Sequence, residues 1–234
     1  MSVLAIIPAA GMGVRMGGGT PKQFLSLEGV PIFVHTLRKF VGSDAIDEIF
    51  LGVRPEDMER ASNEIDGARL GKTVRLVLGG ASRQDTVARC LQEASAGTEI
   101  VVVHDAVRPF IDLAMIREVV ETARQTGAAI LGIPSVDTVK QVERQVILGT
   151  IPRERIVLAQ TPQAFRYTIL REAVDRALTE GFNGTDESSL VERQGQNVTV
   201  LMGSDRNIKI TKPSDLPLAR LYIAQEREHI QSDV

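Results

Sequence analysis

What most constrains this chain is a series of short apolar runs, each separated from the next by residues with helical spacing. The runs are Val3–Ile7, Ile46–Val53, Val74–Leu78, Ile100–Val103, Ala128–Ile133 and Val198–Leu201. Runs this short read as strands, and nearly unbroken ones as strands buried on both faces. Between them, Val87, Leu91 and Ala94 share one helical face, and Leu113, Ile116, Val120 and Ala123 share another behind Asp112, a candidate N-cap. Later, Ile169–Leu170, Ala173–Val174 and Ala177–Leu178 form a stripe that ends before Gly181, Thr185-Asp186-Glu187 opens a further helix, and Pro213 suits the start of the last one. Strands alternating with helices imply right-handed βαβ units. The expectation is therefore a Rossmann-like α/β fold: a mainly parallel, twisted sheet flanked by helices. The 234 residues suit one domain spanning 1–234, with no repeat or linker. Sheets of this kind bind ligands beyond the carboxyl ends of their strands, near a switch in strand order.

The first run feeds Pro8-Ala9-Ala10-Gly11-Met12-Gly13-Val14-Arg15-Met16-Gly17-Gly18-Gly19-Thr20-Pro21-Lys22, with five glycines between positions 11 and 19. Backbone without Cβ atoms bends tightly and can aim several N–H groups at an anion. Arg15 and Lys22 add positive charge, so the stretch reads as a seat for a polyphosphate. A mobile surface turn is the plainer alternative. Two familiar loops do not fit. No glycine in 11–19 is followed by Lys-Ser/Thr as in a P-loop, and the third glycine of a dinucleotide fingerprint falls on Met16. Pro21 discourages an immediate long helix.

A formal charge of −3 argues against a nucleic-acid partner. Cys90 is the single cysteine, so no internal disulfide can form. The first apolar run lacks a basic lead and is too short to be a signal or a membrane span. These features point to a cytoplasmic protein without membrane association.

Residues 134–156 break the alternation. Val136–Val142 and Gln145–Ile151 can pair about a turn at Glu143–Arg144, although the turn lacks an Asn-Gly or Asp-Gly signal. Farther on, Asn207-Ile208-Lys209-Ile210-Thr211 alternates, with Ile208 and Ile210 expected inward and Asn207, Lys209 and Thr211 outward. Asp105 ends an apolar strand; a divalent cation would neutralise it, and an N-cap or an ion pair with Arg108 would serve equally.

Ala9-Ala10-Gly11-x-Gly13-x-Arg15-Met16 and Pro21-Lys22-Gln23 are followed in order by Gly79-Gly80, Arg83, His104-Asp105-Ala106-x-Arg108-Pro109, Thr161-Pro162-Gln163 and Thr185-Asp186-Glu187. This set resembles the sugar-nucleotide and polyol-phosphate nucleotidyltransferases, and most closely the 2-C-methyl-D-erythritol 4-phosphate cytidylyltransferase family of the non-mevalonate isoprenoid pathway. The resemblance implies transfer of CMP from CTP to methylerythritol phosphate, with Mg²⁺ and release of pyrophosphate. It assigns catalytic roles to Arg15, Lys22 and Lys209, and nucleotide contacts to Ala9, Ala10, Gly11, Gly79, Gly80, Ala81, Thr86, Ala106 and Arg108. Asp105 becomes the metal ligand. Thr138, Arg153 and Lys209 hold the substrate's phosphate, the first two from a partner's arm, because the family uses a β-arm here (about 136–154) to form a homodimer. A hairpin rich in valine and isoleucine outside its own core suits that use. The family often has an acidic residue where this chain has Ala81, so only a backbone contact is implied there.

Each residue also has a plainer reading. Arg15 and Lys22 suit solvated surface charges, Thr138 and Arg153 ordinary loop residues, and Lys209 a strand's solvent face. His104 lacks metal-ligand spacing with the other histidines, and Cys90 lies beside a packing stripe. A ribitol-phosphate cytidylyltransferase, a nicotinamide-dependent oxidoreductase and a catalytically silent nucleotide-binding subunit stand as alternatives.

Overall fold

Strand β1 (Ser2–Pro8) shows why the fold has two helical layers. Its side chains alternate: Val3, Ala5 and Ile7 join one buried cluster, while Leu4 and Ile6 join another. A strand apolar on both faces must be covered on both, which is what parallel βαβ topology supplies. A computed structural model describes residues 1–11 and 20–232, so Arg15 and most of the glycine stretch lie outside the described residues.

After β1 come the two-residue strands β2 (Ser26–Leu27) and β3 (Val30–Pro31), then α1 (Ile32–Val41), β4 (Glu48–Val53), α2 (Met58–Ala68), β5 (Val74–Leu78), α3 (Arg83–Gln92) and β6 (Thr98–Val103). The chain continues through α4 (Leu113–Thr126), β7 (Ala128–Pro134), β8 (Val139–Glu143), β9 (Val146–Ile151), β10 (Val157–Arg166), α5 (Tyr167–Glu180), α6 (Glu187–Glu192), β11 (Thr199–Met202) and α7 (Leu216–Ser232). Among the described residues the central sheet has seven strands in the order β11-β7-β10-β6-β1-β4-β5. All neighbours are parallel except β10, which runs antiparallel to β6 and β7. The expected α/β sheet is present.

One face is covered by α1, α2 and α4, through Phe33, Leu37, Phe40, Ala61, Ile116 and Val120. The other is covered by α3, α5 and α6, through Val87, Leu91, Leu170, Val174 and Leu190. Each such aliphatic side chain, fully buried, contributes about 1.5–3 kcal/mol. A third cluster seats α7 by Ala219 and Ile223 against Leu27, Val107, Phe110 and Ile210. The expected helix signals hold. Asp112 caps α4 by accepting from the Ala114 N–H at 2.8 Å, Asp186 caps α6 by accepting from Ser189, and Gly181 ends α5 with φ 65°.

Strand order reverses about β1. The chain goes from β1 outward to β4 and β5, then returns to place β6 on the other side. The glycine stretch follows β1 and Asp105 follows β6, so both stand at this switch point.

Three local expectations are corrected. Residues 207–211 form no strand; Asn207 is fully buried, its amide donating to Thr161 O (2.8 Å) and Gln160 Oε1 (3.2 Å). The arm turns at Arg144–Gln145, one residue later than expected, with φ of 46° and 69°, and β8 begins at Val139. Glu143 then pairs with Val146, and a bulge follows near Leu148. Finally, β10 was not among the expected strands.

Candidate active site

The rim of the site is the end of β1. The Ala9 N–H donates to Gly52 O and the Gly79 N–H to Val53 O, both at 2.7 Å, which sets the ends of β1, β4 and β5 side by side. Close approach explains the glycines here. A Cβ on Gly79 would lie 2.6 Å from Ala10 Cβ and 3.2 Å from Thr86 Oγ1, and one on Gly80 would lie 2.3 Å from Asp85 Cβ. Thr86, fully buried, accepts from the Gly80 N–H (3.1 Å) and donates to Ser82 O (2.8 Å), so its hydroxyl fixes this turn. Ser82 and Asp85 form a reciprocal cap that starts α3, and Ala81 is exposed just before it.

Asp105, only 6% exposed, is the electrostatic centre. Its Oδ1 accepts from Arg83 Nε (3.1 Å), while Oδ2 meets Lys209 Nζ (2.8 Å) and Arg108 Nε (3.4 Å). Burial alone would raise the carboxyl pKa. Arg83 and Lys209 outweigh it and hold the group well below the usual range, so Asp105 is ionised. Arg83 also donates through Nη1 to Glu187 Oε1 at 2.7 Å, bridging two nearly inaccessible carboxylates. Glu187 Oε2 has no hydrogen-bond partner among the described residues. Burial disfavours the Arg83 charge, but Glu187 and Asp105 more than compensate.

His104 points away from this chemistry. Nε2 lies 3.0 Å from Arg108 O and Nδ1 lies 3.1 Å from Thr161 Oγ1, and burial lowers its pKa to about 4, so it is neutral at pH 7. Cys90 is fully buried, with its thiol pushed up to about 12 by burial, and packs under Gly52 as expected.

A cleft of about 350 Å³ opens between the ends of β1 and β6. Of the residues singled out in the sequence, it gathers Ala9, Ala10, Gly11, Lys22, Asp105, Ala106 and Lys209. Gly79 stands directly behind Ala10, and Thr86 packs against Gly79 and bonds Gly80. Arg108 lies behind Asp105, donating to Asn207 O at 2.6 Å, and faces an adjoining depression. Thr138 and Arg153 do not line this cleft; both are exposed at the base of the arm, where Arg153 donates to Val136 O (2.8 Å). Arg15 lies outside the described residues. Among the cleft residues with no assigned role are Arg83, which joins partners 22 and 104 positions away, and Gln23, whose Nε2 donates to Ala9 O and Gly11 O. Both stood inside quoted motifs, but nothing local in the sequence identifies their partners.

Residues 3–225 match the family model of 2-C-methyl-D-erythritol 4-phosphate cytidylyltransferase. The enzyme of that name from Solibacter usitatus is 51% identical over 237 residues, with 97% of each chain covered. The one from Acidobacterium capsulatum is 50% identical over 235 residues, covering 96% of this chain and 98% of the relative. The crystal structure of 4-diphosphocytidyl-2C-methyl-D-erythritol synthase from Anaerococcus prevotii superposes with a TM-score of 0.85 at 29% identity, covering 95% and 96%. The cytidylyltransferase structure from Thermus thermophilus gives a TM-score of 0.75 at 31% identity, covering 96% and 98%. With nearly its whole length matched and half of its residues shared with such enzymes, the chain belongs to the 2-C-methyl-D-erythritol 4-phosphate cytidylyltransferase family.

Proposed function

We propose that this chain transfers CMP from CTP to 2-C-methyl-D-erythritol 4-phosphate, forming 4-diphosphocytidyl-2-C-methyl-D-erythritol and pyrophosphate. A phosphate oxygen of the polyol attacks the α-phosphorus of CTP. A new P–O–P link forms as the α–β anhydride breaks and pyrophosphate leaves. The observation that carries this reading is the cation cluster at the switch point: Lys22, Lys209 and Arg83 line one cleft around Asp105. Both reactants are anions, so fixed cations lower their repulsion and hold them in line, and they strengthen as charge develops. A phosphate monoester is already an oxyanion near neutral pH and needs no general base. His104, with both ring nitrogens engaged within the fold, supplies none.

Within this reading the Ala9–Gly11 rim, Ala106 and the Gly79–Ala81 turn, braced by Thr86, receive the nucleotide. Lys22 and Lys209 are the catalytic cations, Lys209 also meeting the polyol phosphate; Arg108 contacts the nucleotide and supports Asp105, and the catalytic role given to Arg15 falls outside the described residues. The donor set suits Mg²⁺, which takes one or two carboxylates along with phosphate oxygens. A carboxylate offers about four lone-pair positions, and three cationic contacts fall on Asp105. Asp105 would hold the ion, which when bound would neutralise triphosphate charge. Among the described residues no group of three or more His, Cys, Asp or Glu is arranged to hold a metal; phosphate oxygens and water would supply the remaining ligands.

The arm extends the same reading. Val136, Val142, Val146, Ile147 and Leu148 are each more than half exposed, which favours a homodimer whose arm covers them. Thr138 and Arg153 then reach the polyol phosphate in the partner's cleft. No helix among the described residues is long and apolar enough to cross a membrane. Water-soluble substrates and a single cysteine support a cytoplasmic enzyme built as one domain.

The test is pyrophosphate release with CTP and Mg²⁺, comparing methylerythritol phosphate with ribitol 5-phosphate at equal concentration. Release with the first alone is expected. Release with ribitol phosphate instead would keep the nucleotide site and overturn the substrate.

A further inference from the structure

We propose that Gln23 is a positioning residue for this transfer: its buried amide fixes Lys22 against the Ala9–Gly11 rim and so sets where the lysine's charge stands. The inference rests on the proposed cytidylyl transfer, in which Lys22 faces the reacting phosphates. Lys22 belongs to a single turn, Lys22–Phe24, whose backbone bonds (Phe24 N–H to Pro21 O, 2.9 Å; Leu25 N–H to Lys22 O, 3.2 Å) close the turn on itself. Those bonds do not place the turn relative to the sheet. The side chains after Lys22 do. Phe24, 3% exposed, sits edge-on to Phe33 at 5.1 Å and under the Arg60 guanidinium at 4.6 Å. Gln23, 2% exposed, donates from Nε2 to Ala9 O and, at 3.1 Å, to Gly11 O.

These two bonds cross 14 and 12 residues of sequence and join the start of the loop to its end. Both acceptors are carbonyl oxygens, so the amide nitrogen must face them, and both of its protons are used. The acceptors flank Ala10, which lines the cleft beside Lys22. Gln23 thus ties the turn that carries the catalytic cation directly to the rim that receives the nucleotide. An apolar residue of equal length would fill the same space without making that tie. A displacement of about 1 Å at a reacting centre costs on the order of a hundredfold in rate.

The experiment uses the full chain and steady-state kinetics with CTP and methylerythritol phosphate. Gln23→Met keeps the length and removes the donors. We expect kcat to fall about 10- to 100-fold, with the KM for methylerythritol phosphate nearly unchanged. Gln23→Asn, which keeps the amide one methylene short, serves if the methionine variant does not fold. Val174→Ala, in the opposite layer, supplies a control whose lowered Tm leaves kcat intact. The deciding comparison adds Gln23→Met to Lys22→Ala under single turnover with enzyme in excess. No further loss is expected, because a residue acting through Lys22 has nothing left to position. Losses that multiply, a wild-type kcat in the Gln23 variants, or a kcat that tracks Tm as in the control would overturn the inference. A wild-type enzyme that releases no pyrophosphate would overturn the cytidylyl-transfer reading instead.

Discussion

The floor of the cleft and the arm are built on opposite principles. Asp105 is almost inaccessible and meets three cations of its own chain, and Arg83 ties it to Glu187 on a distant helix. The arm is a two-stranded sheet of its own, exposed along most of both strands, with Ile147 60% and Val146 63% accessible. A two-stranded hairpin without a covered apolar face is marginal in water. Under the proposed function, one protomer would complete the nucleotide half of the site, and the polyol half would depend on a second copy covering the arm.

Lys22→Ala should be the most damaging change to turnover, lowering kcat by about a thousandfold or more while circular dichroism and Tm stay near wild type. Near-normal turnover would remove the cleft's catalytic role. Replacing residues 139–151 with a short turn should come next. Size-exclusion chromatography should then report a monomer, and the KM for methylerythritol phosphate should rise about 100-fold, the loss of a charge-assisted phosphate contact. CTP binding by calorimetry should survive. Equal losses for both ligands would erase the distinction between the two halves. Gly79→Ala forces a Cβ into Ala10, so the KM for CTP should rise about tenfold, as expected for roughly 1–3 kcal/mol of strain, with little change for the polyol phosphate. Cys90 should show the smallest effect. Burial pushes its pKa to about 12, so the thiol stays protonated and unreactive at pH 8. Ellman's reagent should label it only on unfolding. The sign follows: the folded state retains the proton longer than the unfolded one, so this thiol lowers stability only as pH rises above about 9.

Much of the sheet was legible because buried parallel strands leave unbroken apolar runs, as in Val3–Ile7 and Ile100–Val103. Strand β10 escaped because Gln160-Thr161-Pro162-Gln163 interrupts its pattern. The ladder register shifts between Gln160 and Gln163, beside a proline that has no N–H to give. The arm's turn was misplaced by one residue because Arg144 and Gln145 adopt positive φ without the asparagine or glycine that signals such a turn. Asn207 looked outward by alternation, yet it is drawn in by the carbonyl of Thr161. At the site, Lys22 and Asp105 lie in motifs that stay close in sequence, while Lys209 was assigned only by the family resemblance; the structure brings all three to one cleft. The Arg83–Glu187 pair spans 104 residues and exists only once α3 and α6 pack on the same face. Gln23 was hidden differently: buried amides bonded to backbone carbonyls leave no compositional trace.

The most direct measurement of a site shared between subunits is complementation. Lys22→Ala and Arg153→Ala enzymes, each nearly inactive at methylerythritol phosphate far below the raised KM, are unfolded together, refolded as a mixture and assayed for pyrophosphate release at that concentration. In a mixed dimer one cleft has its own Lys22 and receives an intact Arg153 from the other subunit. Random pairing should therefore restore about a quarter of wild-type sites. Activity no higher than the average of the two parents would contradict the shared site and return Arg153 to its own protomer.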